Sequence, residues 1–235
     1  MSIAENLGRV REQIENAAQR AGRPSSEITL VAVSKTFPVQ AILEAYEVGA
    51  RDIGENRVEE ASEKIPAVNA ALEKGKIRWH LIGHLQRRKA RGAVTLFDIV
   101  QSVDTLRLAE TMNRAAAEHK KQIPILLQVN VGNDPNKFGF DLNARAAFLQ
   151  DVAKIVPLAN LQIQGLMTIG PLVAGAEQAR PFFRELRKLR DELAQKFPKA
   201  NWRELSMGMT DDYAVAIEEG ATIVRIGRAI FGQRS

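Results

Sequence analysis

The stretch Thr29-Leu-Val-Ala-Val-Ser-Lys-Thr-Phe-Pro38 decides how the rest of the chain is read. Leu30 to Val33 is an unbroken apolar run, the composition of a strand buried on both faces, as parallel sheets require. Lys35 stands at the carboxyl end of that strand, and Pro38 opens a helical pattern. Two readings of Lys35 stand here. A lysine that ends a strand and reaches into solvent is the ordinary case. A lysine desolvated in a pocket has a lowered pKa, and its neutral amine can condense with an aldehyde. The stretch by itself favours the first reading, so its surroundings must decide.

Working outward, apolar strands alternate with amphipathic helices along the chain. Ile3, Leu7, Val10 and Ile14 mark one face of a helix over 3–18, ended by Gly22 and Pro24. After the first strand comes a helix over 38–48, with Gly49 as its cap. The pattern then predicts a strand at 52–56 and a charged helix to about Glu63. Strand three is 78–82 with a helix over 85–95, and strand four 98–103 with a helix over 105–120. Strand five is 124–131 with a helix over 143–156, and strand six 161–168. The next helix places Ala179, Phe182, Leu186, Leu189, Leu193 and Phe197 on one face. Strand seven spans 203–207 with a short helix over 212–219, and strand eight 222–226. Eight alternations predict an α/β fold, a single parallel (β/α)8 barrel with an extra N-terminal helix, in one domain over 1–235. An open doubly wound sheet is the runner-up, but no glycine-rich turn follows the first strand.

Composition narrows the function classes. The 235 residues are 45% hydrophobic and 26% charged, with a net charge of +5 and no cysteine. Disulfides, thiolate nucleophiles and Cys-ligated metals are therefore excluded, and the expected setting is cytoplasmic. No apolar run approaches a membrane span, and the amino terminus lacks the apolar core of a signal peptide, so no membrane partner is expected. The basic cluster Arg87, Arg88, Lys89 and Arg91 reads as a solvated helix face; no nucleic-acid partner is expected of it.

In a barrel, residues just past the carboxyl ends of the strands share one mouth. Here they are Lys35, Asn56, His80 to His84, the loop 130–139, Thr168, the run 206–212, and Gly227 with Arg228. Ser206-Met-Gly-Met-Thr210 and Gly227-Arg-Ala-Ile-Phe-Gly232 follow strands seven and eight, where barrels commonly hold phosphate. The bland reading is that Ser or Thr before Asp211 caps a helix. Arg225, inside an apolar strand, needs an acceptor: an internal carboxylate or a ligand atom. A lysine, a phosphate cradle and a buried arginine in one mouth describe a phosphorylated aldehyde cofactor, pyridoxal 5′-phosphate.

Six segments carry a resemblance to a known family. They are Val31-Ala-Val-Ser-Lys-Thr36, Gly54-Glu-Asn56, Trp79-His-Leu-Ile-Gly-His-Leu-Gln86, Gly165-Leu-Met167, Leu205-Ser-Met-Gly-Met-Thr-Asp-Asp212 and Val224-Arg-Ile-Gly-Arg-Ala-Ile-Phe-Gly232. In order and over nearly the whole chain, this set resembles the pyridoxal phosphate homeostasis protein family (YggS/PROSC), whose barrel is like the amino-terminal domain of alanine racemase. The resemblance implies a carrier of pyridoxal 5′-phosphate held as a Schiff base on Lys35, with Asn56 beside the ring and Met167 lining the pocket. Ser206, Gly208, Thr210 and the backbone of Gly227 and Arg228 would hold the phosphate, Met207 would belong to the same cofactor site, and Arg225 would face the pyridine nitrogen. It further implies a monomer that buffers or delivers the cofactor, with PLP-dependent apo-enzymes as partners.

Arginine only donates, so the nitrogen opposite it keeps its lone pair and the ring is a poor electron sink. The racemase's second base is a tyrosine from a further domain; none is expected here, and Tyr46 and Tyr213 fall on predicted helices. The expectation is therefore no catalytic residue and no metal; the alternative is a PLP-dependent enzyme acting on amino acids. Two positions depart from the family pattern: Arg228 stands in place of Thr or Ser, and Arg88 in place of Asn. His80 is expected to be packed with both nitrogens satisfied, and Glu55 to be a structural acceptor. Lys137, in Pro135-Asn-Lys-Phe-Gly139, is the rival amine.

Overall fold

A computed structural model describes residues 2–72, 75–171 and 174–233. Helix α1 (Ile3–Arg20) precedes the first strand. β1 (Thr29–Val33) leads through α2 (Val39–Glu47) to β2 (Asp52–Glu55), and α3 (Val58–Ala71) leads to β3 (Arg78–Leu81). Next come α4 (Ala90–Leu96), β4 (Ile99–Val103), α5 (Leu106–Glu118) and β5 (Ile123–Asn130). The two-residue β6 (Phe140–Asp141) pairs with the end of β5 and is followed by α6 (Arg145–Ile155) and β7 (Leu161–Met167). The chain ends with α7 (Arg180–Lys196), β8 (Glu204–Ser206), α8 (Tyr213–Glu218), β9 (Ile223–Ile226) and α9 (Arg228–Phe231).

Each helix returns the chain so that the next strand lies parallel to the last. The ring β1-β2-β3-β4-β5-β7-β8-β9 closes because β9 pairs with β1, placing Val31 opposite Arg225 and Ala32 opposite Ile226. An open sheet would leave two strands paired on one side only, whereas here β9 pairs with β1 and β4 with β5, so every strand of the ring has two neighbours and the sheet is an eight-stranded barrel. All eight carboxyl ends consequently share one rim.

The helices bury one face each against the outside of the barrel. On α7, Phe183, Leu186, Leu189 and Leu193 are fully buried. Of the adjacent pair Phe182-Phe183 it is Phe183 that enters the core, not Phe182: the steps 179, 183, 186, 189 keep the helical stripe continuous. α3 also runs eight residues past the predicted end at Glu63. Ile65 and Val68 pin it to the core while Pro66 sits on the exposed side. The predicted helix start at Leu85 becomes a 3-10 turn over Arg87–Lys89 before α4 begins.

α1 starts with a capping box, the Ser2 hydroxyl accepting from Glu5 N–H and the Glu5 carboxylate from Ser2 N–H. It buries Leu7, Val10, Ile14 and Ala17 and packs against α2, α8 and α9. Asn6 Nδ2 donates to the Ile230 carbonyl (2.9 Å), and the Tyr213 hydroxyl donates to Gln13. Inside the barrel, Val31, Ile99, Leu126, Met167 and Ile223 form a separate apolar cluster. Among the described residues no helix is long and apolar enough to cross a membrane.

Candidate functional site

A cleft of about 690 Å3 opens at the carboxyl ends of the strands. Six of the residues singled out from the sequence line it: Lys35, Asn56, Thr210, Arg225, Gly227 and Arg228. Lys35 follows β1 and Arg225 sits in β9, so the pairing of those two strands brings the lysine and the arginine to one wall. Thr210 does not cap a helix, since the N-cap of α8 is Asp212. The Asp212 carboxylate accepts from Met209 N–H (2.7 Å).

Four other singled-out residues lie beneath the cleft rather than on its wall, and each has a physical reason. Met167 belongs to the apolar cluster inside the barrel, and Met207 to the outer core. It is Met209 that reaches the cleft. Gly208 has φ +91°, and a Cβ there would lie 2.6 Å from the Ala216 side chain and 2.9 Å from Tyr213 Cα. Its carbonyl accepts from Arg225 N–H (3.1 Å), so this glycine seats the loop on α8 and fixes the arginine's backbone. The Ser206 hydroxyl is fully buried and already engaged on both sides.

That engagement is part of a polar row through the barrel interior. Arg225 Nη1 donates to Ser206 Oγ (2.7 Å) and Nη2 to the Thr168 carbonyl (2.7 Å). Ser206 Oγ donates to Gln101 Oε1 (2.6 Å), Gln101 Nε2 lies 2.8 Å from His80 Nδ1, and His80 Nε2 lies 2.9 Å from Asp52 Oδ1. Because a guanidinium only donates, the direction of every bond is set from the arginine end. Ser206 Oγ–H donates to the Gln101 oxygen, Gln101 Nε2 donates to His80 Nδ1, and His80 then carries its hydrogen on Nε2. His80 is thus packed with both nitrogens satisfied. Burial holds its pKa below the ordinary histidine value, against the pull of the Asp52 carboxylate. Burial likewise pushes Arg225 down to about 10, opposed by Asp212, and it remains a cation at neutral pH. Its hydrogen-bond partners are a hydroxyl and a carbonyl, not an internal carboxylate.

Around Lys35, Glu55 is fully buried at the end of β2 and accepts from Ser34 Oγ (2.6 Å) and Lys64 Nζ (3.1 Å) through one oxygen. Its other oxygen has no hydrogen-bond partner among the described residues, and burial raises its pKa. Asn56 follows directly and packs against the loop after β3. A Cβ on Gly83 would come within 2.3 Å of the Asn56 carbonyl, so only glycine lets the two loops touch.

The rim holds residues that sequence reasoning missed. Phe138 stacks on His84 with centroids 3.6 Å apart, while His84 Nδ1 lies 2.9 Å from Asp104 Oδ2. Phe138 and Ile169 are exposed large hydrophobic side chains, and both line the cleft. The signal for Phe138 was its place in the loop 130–139, already assigned to the mouth. Arg228 Nη2 donates to both carboxylate oxygens of Asp211 (2.6 and 2.8 Å), an exposed ion pair that engages the charge of this side chain. Lys137 is not among the residues lining the cleft; its ammonium donates to the Gly170 carbonyl (2.7 Å). In the basic cluster, Lys89 pairs with Glu59 (2.5 Å) and Arg88 donates to Gln86 (3.1 Å). Neither tyrosine lines the cleft: Tyr46 lies on α2 under the Arg51 guanidinium, and Tyr213 is turned toward α1.

The family model "Alanine racemase, N-terminal domain" matches residues 6–235. The Pyridoxal phosphate homeostasis protein of Aquifex aeolicus is 40% identical over 235 residues, covering 100% of this chain and 99% of the relative. The chain belongs to the pyridoxal phosphate homeostasis protein family. One structure solved for a relative of this family is that of PipY of Synechococcus elongatus without PLP. It has a TM-score of 0.88 and 39% identity, and the match covers 98% of this chain and all of that one. PipY with PLP bound gives a TM-score of 0.84 at 38% identity, with the same coverage. Alanine racemase of Clostridium difficile, at 13% identity and a TM-score of 0.72, shares the fold over 99% of this chain and 56% of its own. The homeostasis-family motifs therefore sit on a racemase-like barrel.

Proposed function

We propose that the chain binds pyridoxal 5′-phosphate in this cleft, held as a Schiff base on Lys35, and that it buffers or delivers the cofactor rather than turning over a substrate. One observation carries the reading: an amine and a buried guanidinium, Lys35 and Arg225, face one cleft across hydrogen-bonded strands. The bound cofactor in PipY supports it.

The donor set fits such a group. Lys35 would supply the amine that holds the aldehyde end of the cofactor. Thr210, Gly227 and Arg228 line the same cleft, where the Thr210 hydroxyl and the backbone at Gly227 and Arg228 would hold the phosphate. Asn56, which lines the cleft, would lie beside the ring. Ser206, Met207 and Gly208 act from below, Ser206 and Gly208 through their bonds to Arg225. Bound, the cofactor supplies an electrophilic aldehyde and an electron-withdrawing pyridine ring. Arg225 can only donate, so it leaves a facing ring nitrogen unprotonated and limits that withdrawal. The chain's two tyrosine hydroxyls, Tyr46 and Tyr213, do not line the cleft. The protein acts in this reading as a cytoplasmic monomer that passes the cofactor to PLP-dependent apo-enzymes.

Borohydride reduction of the cofactor-loaded protein followed by peptide mass spectrometry tests it. The expected adduct is on Lys35, and Lys35→Ala loses both the adduct and the visible absorbance. An adduct confined to Lys137, or none, overturns the reading. Sustained conversion of an amino acid from a test panel would replace the carrier with an enzyme.

A further inference from the structure

Lys35 is the second residue of a tight turn. Phe37 N–H donates to the Ser34 carbonyl (3.0 Å), and Thr36, the third residue, has φ +71°. Turns with positive φ at this position normally place glycine or asparagine there. A β-branched residue is an outlier that persists only where its surroundings impose it.

The surroundings here are a polar cluster anchored on α3. Glu60 Oε1 accepts from Thr36 N–H (2.5 Å). Lys64 Nζ donates to the same Glu60 oxygen (2.6 Å), to the Ser34 carbonyl (3.0 Å) and to Glu55 Oε1 (3.1 Å). Ser34 Oγ closes the set on Glu55. Lys64 therefore reaches both neighbours of Lys35, Ser34 directly and Thr36 through Glu60. Its side chain is only 11% exposed, and neither Lys64 nor Glu60 lines the cleft. A buried ammonium with three acceptors is a costly way merely to fasten a helix to a strand. As a way to fix one backbone turn it is well matched.

We propose that Lys64 and Glu60 are positioning residues: with Glu55 they clamp the turn 34–37 in its strained form and so set the direction in which Lys35 enters the cleft. This rests on the reading of Lys35 as the amine that takes the aldehyde.

The test compares Lys64→Met and Glu60→Ala with the same changes in a Thr36→Gly background, because glycine adopts φ +71° without a clamp. Apo-protein is mixed with pyridoxal 5′-phosphate, and the rate of absorbance growth and the borohydride-trapped adduct at Lys35 are measured. Each single variant should slow capture tenfold or more, and Thr36→Gly should restore it to within threefold. A second readout needs no cofactor: the Thr36 amide of the apo-protein should be protected from hydrogen exchange and lose that protection in Glu60→Ala. Wild-type capture rates in folded Glu60→Ala, or slow capture that Thr36→Gly does not rescue, would overturn the clamp. If wild type itself yields no adduct at Lys35, the binding reading falls, while the amide measurement still reports on the turn.

Discussion

Lys35 and Arg225 were legible from the sequence because each breaks an apolar pattern that physics would otherwise keep clean. Gln101 broke one too, between Val100 and Val103, yet its meaning needed two partners from other strands, His80 and Ser206. The depth of Ser206, Met207 and Gly208 was not legible. Their loop is short in sequence, but whether a side chain points up into the cleft or down into the barrel depends on where β8 ends. The polar row they join has a fixed sense, which yields a residue-level expectation. In 15N spectra His80 should be the neutral tautomer with hydrogen on Nε2, and it should stay neutral as pH falls below 6.5, where a free histidine protonates. Its folded pKa is lowered, so the folded state binds fewer protons than the unfolded chain. The stability linked to His80 is full above 6.5 and is lost as pH falls through that value toward the folded pKa. Protonation of folded His80 at its ordinary pH would contradict the assigned direction.

At the scale of elements, strand–helix alternation was read correctly around the ring, because each unit carries its own period-two or period-3.6 signal. The errors were local. Phe182 and Phe183 are equivalent in hydrophobicity, and only the continuity of the stripe on α7 separates them. α3 runs past its predicted end near Glu63 because Pro66 lies on the exposed side, where the buried side chains of Ile65 and Val68 outweigh its helix penalty. Contacts between loops were invisible in sequence, above all the backbone of Asn56 against Gly83. Gly83→Ala inserts a Cβ where 2.3 Å is available, so the loop after β2 must move. Such overpacking costs about 1–3 kcal/mol. Urea denaturation should report that loss, and cofactor capture should weaken with it because Asn56 shifts.

For the molecule as a whole, α1 fastens together elements distant in sequence, lying on α2 at one side and α8 and α9 at the other. Its apolar spacing was evident from Ile3, Leu7, Val10 and Ile14, but its docking site was not, since nothing in a helix names its neighbour. Leu7 is 1% exposed. Leu7→Ala should lower stability by about 2–5 kcal/mol in equilibrium denaturation. Its unfolding slope should stay unchanged, because the surface exposed on unfolding is nearly the same. A loss below 1 kcal/mol would mean that α1 is not integral to the barrel.

The closure of the ring by β1 against β9 has a bearing on biosynthesis. Lys35 is translated well before Arg225, and the two reach one wall of the cleft only when β9 inserts beside β1. A chain translated only as far as β8 therefore carries Lys35 without Arg225 beside it, and cannot grip a ligand through both residues. The same long-range seam makes folding slow relative to local contacts. A ligand that grips both sides of it would act as a staple, raising the barrier to reopening only once the fold is complete.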